Sequence, residues 1–169
     1  MAEDAERPRK RRSLGGWKFI VAIILILGYS AGAAYGVLSD TSVRGLTVKM
    51  FNVSRYCTAQ SSSPRTLNYN VRGAIWSASS IPTSLSHISF TLSVDGSVMG
   101  TATQSDTSFG PGQSVSFNLT FTDPTLNPTM LPLSSKLVLS LSATVAAGLY
   151  SSTEATSDST IQTFASNGC

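Results

Sequence analysis

The stretch ISFTLSVDGSVMGTAT, Ile88 to Thr103, decides the fold class. Ile88, Phe90, Leu92 and Val94 alternate with Ser and Thr, a period of two that puts the apolar side chains on one face of a strand. Asp95-Gly96 then supplies residues suited to positive φ in a two-residue turn, and a return strand runs over Ser97–Thr103. A one-faced antiparallel hairpin of this kind needs a second layer to cover its apolar side.

The same pattern recurs on both sides of the hairpin. Upstream, Val43–Val53 places Leu46, Val48 and Met50 on one face, and Thr66–Ile75 alternates Leu67, Tyr69, Val71 and Gly73. The loops CTAQSSSPR (57–65) and SASSIPTS (77–84) separate these runs. Downstream, Gly110-Pro111-Gly112 marks a turn, after which Val115, Phe117, Leu119 and Phe121 alternate. Asp123–Pro132 reads as a long Pro-rich loop or a single helical turn. Leu137, Leu139, Leu141, Ala143 and Val145 form another one-sided strand, and a shorter run covers Ser159–Phe164. Tyr69, Phe90, Phe117 and Phe121 fall at strand spacing and are assigned to the core. The expected fold is all-β, an antiparallel β-sandwich of about seven strands around one core.

Before the strands lies WKFIVAIILILGYSAGAAYGVL, Trp17 to Leu38, uncharged from Phe19 onward. At 1.5 Å per helical residue it spans roughly 30 Å, the thickness of a bilayer core. A secretory signal cleaved near Ala31–Ala33 is the alternative, but the apolar character continues through Val37 and Leu38, which favours an uncleaved anchor. Gly28, Gly32 and Gly36 repeat every four residues on one face, spacing that lets a second helix approach closely, so a homodimer or a membrane-protein partner is expected there. Small residues near the end of a signal peptide explain the same glycines.

The charge is one-sided. Residues 1–18 hold six basic and three acidic side chains, whereas the remaining basic and acidic residues cancel, so the formal net charge of +3 belongs to the leader. The sequence pI of about 9.1 is therefore no argument for nucleic-acid binding. Arg9–Arg12 flanks the apolar segment and keeps that side cytoplasmic, with the C-terminal domain outside. The expected organisation is a disordered basic tail over 1–16, a membrane anchor over 17–38 and an extracytoplasmic domain over 39–169. The lipid membrane is the expected partner, with N-terminus inside and sandwich outside the cell membrane.

Two cysteines, Cys57 and Cys169, lie on the outer side, where an even pair favours a disulfide. Two free thiols, or a bridge from Cys169 to another chain, are the alternatives. Two sequons, Asn52-Val-Ser54 and Asn118-Leu-Thr120, are candidate glycosylation sites. Asn118 alternates with apolar neighbours and faces outward. Asn52 shares the parity of Met50 and points inward unless the strand changes face near Phe51.

Residues able to carry chemistry are sparse. His87 is the one histidine, at the start of the central hairpin, and no G-x-S-x-G elbow accompanies it. No His, Cys or carboxylate cluster has metal-ligand spacing, and no phosphate-cradling glycine loop is present. No catalytic residue, metal, cofactor or small-molecule substrate is assigned. Trp76 either plugs the sandwich end or is exposed for a partner.

The run TLNYNVRGAIWSASSIPTSLSHISFTLSVDGSVMGTA, residues 66–102, resembles the water-stress and hypersensitive-response domain of the late-embryogenesis-abundant (LEA) group 2 proteins. The family's parts correspond to Ser80-Ile81-Pro82 (where the family often has Asn-Pro), the hairpin Phe90 to Gly100, and the turn Phe109-Gly110-Pro111-Gly112-Gln113-Ser114. The resemblance covers residues 43–163. It implies a β-sandwich, and with the basic tail and apolar helix it matches the membrane-anchored relatives, known in plants and with archaeal and bacterial counterparts. The resemblance implies a non-enzymatic role in stress protection or protein interaction at the cell envelope, and the low-charge Ser/Thr-rich domain suits an archaeal one. The alternative reading is a structural or accessory subunit of a membrane complex or surface filament; a hydrolase using His87 comes third.

Overall fold

A computed structural model describes residues 14–58, 66–123 and 132–164. The chain divides into two units, Met1–Tyr35 and Gly36–Cys169. One helix, α1, runs Leu14–Val43, longer at both ends than the apolar stretch predicts. It is long and apolar enough to cross a membrane, and none of its most apolar window is buried. Two of its hydroxyls bond within the helix: Ser30 Oγ donates to the Leu27 carbonyl at 3.1 Å and Thr41 Oγ1 to that of Val37 at 3.0 Å. Such back-bonding removes the cost of carrying hydroxyls through an apolar medium.

Eight strands follow: β1 (Leu46–Thr58), β2 (Thr66–Ser77), β3 (Thr83–Val94), β4 (Ser97–Gln104), β5 (Thr107–Phe109), β6 (Ser114–Asp123), β7 (Ser134–Ala147) and β8 (Tyr150–Thr163). They form two open antiparallel sheets, β1-β2-β6 and β4-β3-β7-β8, with short β5 beside the start of β3. The sandwich expected from the alternation is the fold observed. Phe90 of β3 and Phe117 of β6 meet across the layers with ring centroids 4.8 Å apart, and Leu67, Val71, Ile75, Leu92, Leu139 and Leu141 fill the space around them.

Three details differ from the sequence expectation. Val43 ends the helix instead of opening β1; with Ser39 and Ser42 it is buried in the second unit, so its apolar side chain belongs to the core by another route. β3 begins at Thr83, inside the expected loop, and absorbs a bulge at His87, whose φ is +52°. β8 is fourteen residues long, beginning well before Ser159, and pairs with β7 throughout. Its half-buried face carries Glu154, Thr156, Asp158, Thr160 and Gln162. A strand polar on both faces has no hydrophobic period to read.

Candidate functional site

Among the described residues of the second unit, the outer face of the larger sheet is rich in Ser and Thr. Register aligns three cross-strand rows there: Thr103–Ser89–Ser142–Ala155, Thr101–Thr91–Ser140–Ser157 and Val98–Ser93–Val138–Ser159. On β3 and β7 these residues alternate with core side chains, so the strand period turns them outward, and pairing extends the rows to β4 and β8. Strand geometry spaces such groups by about 4.8 Å across and 6.7 Å along the sheet. The middle row is hydroxyl from end to end, and no charged residue falls in any of the three. Each hydroxyl both donates and accepts, and none titrates near neutrality.

The outer face of the smaller sheet is different. Between Met50 and Asn52 the register of β1 shifts, Phe51 being the extra residue, so the strand changes face. Asn52 is therefore exposed, the outcome its parity with Met50 argued against and the face change allowed. Pairing puts Asn52, Arg72 and Asn118 in a single row, with both sequon asparagines exposed. Asn70 Nδ2 donates to Asn118 Oδ1 at 2.9 Å, which leaves the Asn118 amide nitrogen, the atom a glycan takes, directed away from that bond. On the same face Trp76 sits edge-on to Phe51, ring centroids 5.4 Å apart, so it covers the sheet's outside and does not plug its end.

His87 is exposed, and it is its backbone N–H, not the imidazole, that is engaged, donating to Asp106 Oδ1 at 3.3 Å. Among the described residues no three His, Cys, Asp or Glu side chains lie together as metal ligands. Cys57 is half-buried and disulfide-bonded; Cys169, its expected partner, lies outside the described residues. Gly28 and Gly32 have open space where a Cβ would stand, whereas at Gly36 that position is 3.9 Å from the Tyr150 hydroxyl. The basic tail and most of the Asp123–Pro132 loop also lie outside the described residues.

One group was not legible as a site. Arg55 is 8% exposed and points inward from β1. Its guanidinium stacks 4.2 Å over the Phe164 ring, Nη1 donates to the Pro132 carbonyl at 2.9 Å, and it hydrogen-bonds the Tyr69 hydroxyl. Burial pushes the Tyr69 phenol above its ordinary pKa, the nearby Arg55 opposes that, and Asp123 adds to it. Arg55 thus ties β1 to β2, the segment before β7 and the end of β8. Its parity with Val53, once the bulge is allowed for, is the signal that places it inside.

No protein-family model matches the chain, and no curated protein matches it significantly. Among solved structures it is similar to a protein from Archaeoglobus fulgidus (11% identity, TM-score 0.39, covering 68% of this chain and 97% of that one). It is also similar to a Bordetella pertussis protein designated ApaA (12%, 0.40, 73% and 98%). A third is a beta-glucuronidase of glycoside hydrolase family 2 (11%, 0.35, 70% of this chain but 12% of the enzyme).

Proposed function

We propose that the chain is a single-pass membrane protein holding a hydroxyl-covered β-sandwich outside the cell, where it acts without catalysis as a protective or interacting surface. The observation that carries this reading is the run of three uncharged, mostly Ser/Thr rows across the larger sheet, the middle one hydroxyl throughout, in a chain whose helix is apolar enough to span a bilayer. Hydroxyl rows hold water, and can replace it at headgroups or polar partners, without the salt screening that weakens charged surfaces. Resemblance to the anchored LEA group 2 proteins points the same way, toward stress protection at the envelope. The basic flank at Arg9–Arg12 supports a cytoplasmic N-terminus. In an oxidising exterior Cys57 pairs with Cys169, and in a host that glycosylates, Asn52 and Asn118 both project from the smaller sheet. An archaeal envelope fits the low surface charge.

The test is dye retention by liposomes carrying the full chain through a drying and rehydration cycle. The reading expects more retained dye than in protein-free liposomes, and loss of that gain when Ser140, Ser142, Ser157 and Ser159 are changed to Val. Equal leakage with and without the protein refutes protection.

A second reading, a subunit of a larger membrane assembly, rests on the four-residue repeat of Gly28, Gly32 and Gly36. It expects a stoichiometric partner in gently solubilised membranes that disappears with Gly32→Leu.

A further inference from the structure

The last turns of α1, from Gly36 to Val43, belong to the same compact unit as the sheets, and they do not meet the sheets with polar side chains alone. The β7–β8 hairpin turns at Gly148, whose φ of +58° lies in the left-handed region that favours glycine, and presents Leu149 and Tyr150 at its tip. Leu149 is 78% exposed and Tyr150 49% exposed. The Tyr150 hydroxyl lies 3.9 Å from where a Cβ would stand on Gly36 of α1, two residues before Leu38 ends the apolar run and four before Asp40, the first charge. No charged residue occurs from Leu137 to Thr153, so the hairpin itself brings no charge to its tip.

We propose that the β7–β8 tip, through Leu149 and Tyr150, enters the headgroup region of the bilayer beside α1 and gives the sandwich a second point of attachment to lipid. This rests on the membrane-spanning reading of α1. Three observations commit the surface to lipid over another protein. Within the second unit the tip lies near Gly36, at the outer end of the apolar run. It pairs a bare aliphatic side chain with a Tyr, the residue type that places an apolar ring and a polar hydroxyl across an interface. Its flanks, Ala146, Ala147, Ser151 and Ser152, are small and uncharged, which lets headgroups close around it. Two attachments hold the hydroxyl face at a set angle to the membrane, where a single helix end would let it swing.

The test uses the full chain in phosphatidylcholine proteoliposomes with Trp17→Phe and Trp76→Phe, adding Leu149→Trp as the reporter. Lipids doxyl-labelled near the headgroup are expected to quench its emission at least twofold and to find it blue-shifted. Val98→Trp in the same background reports the opposite hairpin, beside Asp95-Gly96, and is expected to stay unquenched. A Leu149→Trp reporter that is water-exposed and unquenched while the protein co-floats with the liposomes overturns the inference and leaves the membrane reading standing. A protein that fails to co-float overturns both.

Discussion

The backbone N–H of Met50 donates to Oδ2 of Asp158 at 2.8 Å, across 108 residues of chain. It ties the edge strand of one sheet to the edge strand of the other, at the bulge where β1 changes face. An inward-turned acid on an edge strand also discourages pairing with another chain. Asp158→Ala strands the Met50 amide and should cost about 1–3 kcal/mol. Asp158→Asn keeps an acceptor oxygen and should cost less. Denaturant titration of the full chain in detergent checks both; equal stability of all three proteins counts against the seam.

Gly73 is required by space and not by turn geometry. A Cβ there would collide with the Lys49 carbonyl oxygen on β1 and with the Phe117 ring. The ring can shift but the carbonyl is held in the ladder, so Gly73→Ala should destabilise by about 1–3 kcal/mol. Gly100→Ala, with only ordinary contact at 3.9 Å, is the control and should be far milder in the same titration.

These two sites show what the sequence could and could not disclose. Phe90, Phe117 and Phe121 were legible because one face of each strand is apolar, and period two is unambiguous there. β8 was half-hidden because its half-buried face carries Glu154, Thr156 and Asp158, of which Asp158 accepts from Met50 across the sheets, and shows no apolar stripe. The side of Asn52 depended on a bulge at Phe51, and a bulge leaves no mark in a single sequence beyond a break in parity. Arg55 was hidden for the same reason, since a buried cation is chosen by partners as distant as Pro132 and Phe164.

Tyr69 makes stability depend on alkaline pH. Its phenol has an ordinary value of 10.0 and a raised one in the folded chain, chiefly from burial. Above pH 10 the unfolded chain releases a proton the native state retains, so this contribution is complete below pH 10 and lost as pH rises through the folded value. Tyr69→Phe should therefore flatten the fall of the unfolding midpoint above pH 10. At neutral pH it should cost about 1 kcal/mol for the bond to Arg55. Parallel alkaline slopes for the two proteins would exclude the effect.

A disulfide closing the loop from Cys57 to Cys169 removes denatured-state entropy worth about 4–5 kcal/mol in the chain-entropy model. Mild reduction should lower the thermal midpoint, and Cys57→Ser should match the reduced protein. A midpoint indifferent to reductant would show that the pairing is absent or without consequence.

The central claim is that the intact chain sits in a membrane with its sandwich outside. Intact cells can be treated with a membrane-impermeant amine reagent, and the protein from carbonate-washed membranes then mapped by mass spectrometry. The account predicts a full-length chain modified at the exposed Lys49 and Lys136 and unmodified at Lys10. A chain beginning near Ala34 and released by carbonate, or one modified at Lys10, would contradict it.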